Sequence, residues 1–176
     1  TLTQRILATH QNIATSPEPW VLLPLLYSLK REGVYAEYGH KLAVSAIEDF
    51  ADGLPGGRQT YIHDIREFVV GLYSKHAKLG ATYFVDKTPR YHLVADNIVR
   101  LFETGKFIFL WRNPLAIVAS MMETWSQGRW NLYAYEVDLF DGLASLIEAW
   151  SRHSDKAIAV RYEDLVDGGR VEWQRV

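Results

Sequence analysis

A chain of 176 residues, 48% of them apolar, is long enough to bury one core and too apolar to stay disordered. Its 19 basic and 21 acidic residues leave a net charge of −2, which argues against a general binder of nucleic acid or anionic membrane but leaves room for a local basic pocket. With no cysteine, disulfide scaffolds and thiolate metal sites are excluded.

TLTQRILATH opens already in helical pattern. Leu2, Ile6, Leu7 and His10 predict a first helix of about ten residues. NIATSPEP then breaks it with two prolines, since the residue before each is biased away from helix. Residues 20–31 and 40–50 read as two more helices, separated by Gly33 and an aromatic turn, and GLPGG is a strong break. Residues 60–76 are periodic again, with Ile62, Ile65, Val69, Leu72 and Tyr73 on one broad face. The longest apolar runs, such as WVLLPLLYSL, are too short to span a bilayer and carry a proline; no stretch reads as a signal peptide.

After Gly80 the texture changes. ATYFVD, KFIFLW and KAIAVRY are short runs rich in aromatic and β-branched residues, continuous enough to be strands buried on both faces. The helical patterns VADNIVRLFET, PLAIVASMMETW and LFDGLASLIEAWSR separate them. Strands alternating with helices predict an α/β domain with a parallel sheet, and no linker or internal repeat divides residues 1–176. GGRVEWQRV stops in mid-pattern as TLTQRILATH begins in one, so the single domain is expected to be cut from a larger fold at both ends.

In parallel sheets of this kind the ligand sits beyond the carboxyl ends of the strands. Those ends carry Lys87 and Arg90 in DKTPR, Arg112 in RNP, and Arg161 beside Tyr162 in RYED. A fixed cation at each end points to an anionic ligand. Pro114 suits the first turn of a helix and Asn113 its cap. Ser120, seven residues past the cap, then falls about two turns on and roughly 10 Å along nearly the same face. An arginine lying along that face would share one phosphate with the serine hydroxyl; a surface ion pair and a solvated serine are the plainer alternative. Lys87 reads either as a solvated loop lysine or as a cation neutralising charge on a leaving oxygen. Glu18, between two prolines in SPEPW, reads either as an acid favouring a helix start or as a general base held by a stiff turn. The six histidines show no paired metal-ligand spacing, so no zinc is expected; His63 and His92 are the two that could approach a site.

Taken in order, these segments resemble the PAPS-dependent sulfotransferases, in particular the bacterial branch related to the Golgi and tyrosyl-protein enzymes. TLTQRILATHQNIATSPEPW looks like the continuation of that family's 5′-phosphosulfate loop, P-R-S-G-[ST]-T-L, into its first helix and acidic turn. VDKTPRYH looks like its lysine loop, FIFLWRNPLAIVAS like its 3′-phosphate motif, and AVRYEDLV is a weaker match to its later strand. The resemblance implies a P-loop-NTPase-like three-layer fold with a central parallel sheet and a helical insertion. It implies binding of 3′-phosphoadenosine 5′-phosphosulfate (PAPS), with PAP as product and no metal, and transfer of the sulfuryl group to a hydroxyl or amine.

Carried onto this sequence, the resemblance gives Arg112 and Ser120 the 3′-phosphate and Lys87 the bridging oxygen. It gives Thr1 the 5′-phosphate, Tyr162 a border of the nucleotide, and Glu18 the role of acceptor-activating base. Should Glu18 not be the base, His63 or His92 is the alternative. The basic residue and glycine that precede Thr1 in the family pattern are not part of this sequence. A small molecule, a glycan and a lipid-like alcohol fit the Trp- and Tyr-rich stretches as acceptor about equally, and a cytoplasmic address is expected. A P-loop small-molecule kinase and a non-catalytic nucleotide-binding module are the competing readings. The kinase would need G-x-x-x-x-G-K-[ST], and Leu-Thr-Gln after the would-be loop is not Walker-like.

Overall fold

The computed structural model describes residues 2–176. The first half is mostly helical: α1 (Leu2–Leu7), strand β1 (Ile13–Thr15), α2 (Leu22–Tyr27), α3 (His40–Asp52) and α4 (Arg58–His76). The second half alternates: β2 (Tyr83–Val85), a 3₁₀ turn (Pro89–Val94), α5 (Ala95–Leu101), β3 (Phe107–Trp111), α6 (Pro114–Trp125) and α7 (Gly142–His153). It closes with β4 (Ala157–Arg161), α8 (Tyr162–Asp167) and α9 (Gly169–Arg175). A short 3₁₀ turn (Tyr133–Tyr135) and a π turn (Val137–Asp141) lead into α7.

Mixed strands and helices with parallel pairing agree with an α/β class. The pairing itself differs from a single central sheet. Among the described residues, β1 pairs with β2 and β3 with β4, each pair parallel and each forming its own two-stranded sheet. β1 lies in the stretch read from sequence as a break. Its three residues are too few for a period-2 signal, and the prolines that follow mask it. The first two helices are shorter than expected, at six residues each, because residues 8–12 turn before β1 and Leu29 and Lys30 close turns after α2. α6 runs from Pro114 to Trp125 as predicted, with Pro114 in the first turn and the Asn113 side chain accepting from Leu115 N at 2.9 Å. Asn113→Ala is expected to lower stability by about 1 kcal/mol, the usual loss for a removed N-cap, as read by urea unfolding.

Two apolar clusters hold the elements. Leu22, Leu23 and Leu26 of α2 pack with Ile65 and Val69 of α4 and with Val94 and Leu101. Ala95 and Val99 of α5 pack with Phe109 of β3 and Ala149 of α7. The helical face predicted for residues 60–76 is thus the one that seals α4 onto α2. Its outer members differ: Leu72 is exposed, while Tyr73 turns inward.

Candidate active site

Strand register decides which loops meet. Thr15 of β1 sits beside Val85 of β2, so the chains leaving these strands emerge side by side. Three residues on from Thr15 is Glu18, and two on from Val85 is Lys87. The Lys87 ammonium donates to Glu18 Oε1 across 69 residues of sequence. The pair is part-exposed, Glu18 more than Lys87. The turn that carries Glu18 is strained: Glu18 (φ +37°) and Trp20 (φ +58°) both occupy the left-handed region, which side chains other than glycine rarely adopt. Trp20 N–H is tied to the hydroxyl of Thr88, the residue after Lys87, at 3.3 Å. Further back, the Thr15 hydroxyl donates to the Val85 carbonyl (2.7 Å), and Gln4 of α1 donates to Thr15 and to the Ser16 carbonyl. The base candidate and the lysine are therefore set by one latticework.

Asp86 anchors that latticework, a role that sequence reasoning missed. Its carboxylate accepts from the hydroxyls of Tyr73 on α4, Tyr91 on the 3₁₀ turn (2.7 Å) and Thr88 (3.3 Å). The Tyr91 oxygen in turn accepts from Leu22 N at the start of α2 (3.3 Å). Burial pushes the Asp86 carboxyl up, opposed by the three hydroxyl donors and by Lys87. Burial, joined by the carboxylate itself, pushes both tyrosines up as well. Asp86 was visible in DKTP, but nothing local marks Tyr73 as its partner.

The second strand pair repeats the device. Trp111 of β3 sits beside Arg161 of β4, so the next residues, Arg112 and Tyr162, are neighbours. The Arg112 guanidinium lies over the Tyr162 ring, 4.7 Å from its centre. Asn113 N–H donates to Glu163 at 2.8 Å, and this bond, with smaller pulls from Arg161 and Arg112, holds the Glu163 carboxyl below its usual range. Ser120 is exposed on α6, and its hydroxyl makes no hydrogen bond among the described residues. Arg112 is thus joined to Tyr162 but not to Ser120, and among the described residues no hydrogen bond or ion pair links this pair to Glu18 and Lys87. Thr1 lies outside the described residues. His63 is exposed on α4, whereas His92 has one ring nitrogen on the Pro89 carbonyl and the other facing Asp138. Among the described residues no three His, Asp or Glu side chains gather as a metal ion would require.

Two parallel strand pairs thus each end on a cation with a partner from the adjoining loop, a layout suited to an extended polyanion. A profile of the sulfotransferase family matches residues 1–176. The chain belongs to the sulfotransferase family. A relative within reach of alignment is the nodulation protein NoeE of Sinorhizobium fredii (strain NBRC 101917 / NGR234), 34% identical over 126 residues. That match covers 71% of this chain and 29% of NoeE, so the sulfotransferase segment described here spans well under a third of that relative.

Proposed function

We propose that this chain, as one P-loop-like α/β domain, transfers the sulfuryl group of PAPS to a hydroxyl or amine of a small-molecule, glycan or lipid-like acceptor. The observation that carries the reading is the contact between Glu18 and Lys87, two groups of opposite role brought together by strand register. PAPS supplies an activated sulfuryl group on a phosphate leaving group. Glu18 accepts the proton of the acceptor hydroxyl as its oxygen bonds to sulfur, because an un-ionised hydroxyl is a poor nucleophile. The sulfur–oxygen bond to phosphate breaks, and Lys87 neutralises the charge left on that oxygen. Thr1, outside the described residues, is assigned to the 5′-phosphate in this reading.

Arg112 and Ser120 supply binding and register on the 3′-phosphate. Among the described residues Arg112 makes no direct ion pair, and its guanidinium lies over the Tyr162 ring, where its edge donors can still reach a phosphate. Tyr162 in this reading borders the nucleotide. Arg112→Ala is expected to weaken PAP binding about tenfold to a hundredfold, the range for one charge-assisted contact, with a smaller change in turnover at saturating donor. Titration calorimetry of the two proteins with PAP reads it.

The full-length protein is expected to bind PAP and to label an acceptor from PAPS, but not from ATP with magnesium. Absence of PAP binding would sink the proposal, and phosphoryl transfer from ATP would favour a kinase. Among the described residues no helix is long and apolar enough to cross a membrane. The cytoplasmic address is part of the proposal and rests on sequence alone.

A further inference from the structure

Beyond Lys87 the chain enters the 3₁₀ turn Pro89–Val94, which presents Arg90 and His92 to the π turn Val137–Asp141. π turns of this kind recur at functional sites. Arg90 donates to Asp138 Oδ2 at 2.7 Å. His92 Nδ1 lies 2.6 Å from the Pro89 carbonyl oxygen, which only accepts, so Nδ1 carries a hydrogen. In a neutral ring, Nε2 is then a bare lone pair. It faces Asp138 Oδ1, a second lone pair, at 3.4 Å. Both atoms are buried, and neither has a hydrogen-bond partner among the described residues.

Two buried acceptors facing one another repel, and a proton between them satisfies both. We propose that His92 and Asp138 hold one proton in common and that this pair is a positioning device for the loop carrying Lys87. The proposal rests on the reading of Lys87 given above.

The surroundings leave the ring little choice. A β-carbon at Gly142, the first residue of α7, would come within 1.9 Å of the imidazole, so this glycine is the space in which the ring sits. From α2, the Tyr27 hydroxyl feels Arg90 and Asp138, and Lys30 just beyond that helix feels Asp141. The Asp96 carboxylate of α5 is taken by Arg100 and by Arg152 and His153 of α7. Asp138 is thus the one carboxylate in contact with His92 among the described residues. Burial, the largest influence, and Arg90 hold the His92 imidazole below its ordinary value, while the Pro89 carbonyl and Asp138 pull it the other way. The facing lone pairs, and not the charge balance alone, are what call for a proton between the two atoms. As pH rises the pair loses it, the two lone pairs repel, and the grip on residues 89–92 loosens.

Asp138→Asn is the informative variant, because an amide offers its oxygen to Arg90 and its NH₂ to a neutral Nε2. It keeps both contacts without needing the proton. Nitrogen-15 spectra of the histidine-labelled full-length protein are expected to show Nε2 of His92 shift toward the protonated position on mild acidification. That shift is lost in Gly142→Ala, which displaces the ring without changing charge. Turnover of the wild type is expected to fall on the alkaline side, and Asp138→Asn to flatten that limb. An Nε2 that stays bare throughout acidification of the folded protein, or identical pH profiles for wild type and Asp138→Asn, overturns the proposal. Lys87→Ala keeps the two claims apart: unchanged turnover would overturn the role of the lysine, and with it the positioning role, whereas the ring spectrum decides the shared proton by itself.

Discussion

Glu18→Gln is expected to lower turnover by about 10²- to 10⁴-fold, the usual contribution of a general base, while PAP affinity stays nearly unchanged. The amide keeps the length of the side chain and an oxygen for the Lys87 ammonium, so the geometry survives and only the proton acceptor is lost. The part-exposed ion pair itself is worth about 1 kcal/mol or less, too little for unfolding to mimic such an effect. Steady-state rates at saturating PAPS, set beside PAP titration, separate the two contributions. A variant that turns over at the wild-type rate would remove Glu18 from the chemistry. His92 would not inherit the role as it stands, since both its ring nitrogens are engaged or enclosed. His63, exposed on α4, would be the remaining candidate.

The second large effect is structural. Asp86→Ala strips a shared acceptor from three hydroxyls, two of them on tyrosines that burial holds firmly un-ionised. Each buried donor left without a partner costs about 1–3 kcal/mol, so a loss of about 3 kcal/mol is expected in urea unfolding, together with lower activity as Thr88 and Trp20 lose their setting. Asp86→Asn adds a pH test. Because the folded state raises the Asp86 carboxyl, it binds the proton more tightly than the unfolded chain does. That carboxyl therefore adds stability below its unfolded value and loses it as pH rises through the raised one. On acidification from neutrality, the wild type should gain on Asp86→Asn. A gap that is constant with pH would contradict the burial argument.

The sequence was legible wherever chemistry and local structure coincide. The Asn113–Pro114 cap, the cations after the strand-like runs, and the alternation after Gly80 all follow from neighbours a few residues apart. Illegible were the joins. Glu18 meets Lys87 because a three-residue strand pairs in parallel with another far away, and so short a strand carries no periodic signal. Tyr73 finds Asp86 for a similar reason: it sits on a helical face that periodicity assigns to the core, with nothing to say that its hydroxyl meets a carboxylate there. The single sheet expected from alternation gives way to two strand pairs, since alternation fixes the order of elements and not which strands share hydrogen bonds.

The Glu18–Lys87 contact also bears on waste. An activated sulfuryl donor in water is prone to attack by water itself, and a strong base beside it would hasten that loss. Here the would-be base is bound to its own cationic neighbour before any acceptor arrives. On the proposed reading, an acceptor held in its own pocket presents its hydroxyl to Glu18 and draws the carboxylate off the lysine, whereas a stray water, held by nothing, does not. The ion pair would then serve as a safety catch on the donor, and releasing it in Lys87→Ala should show as a larger share of PAPS spent on free sulfate.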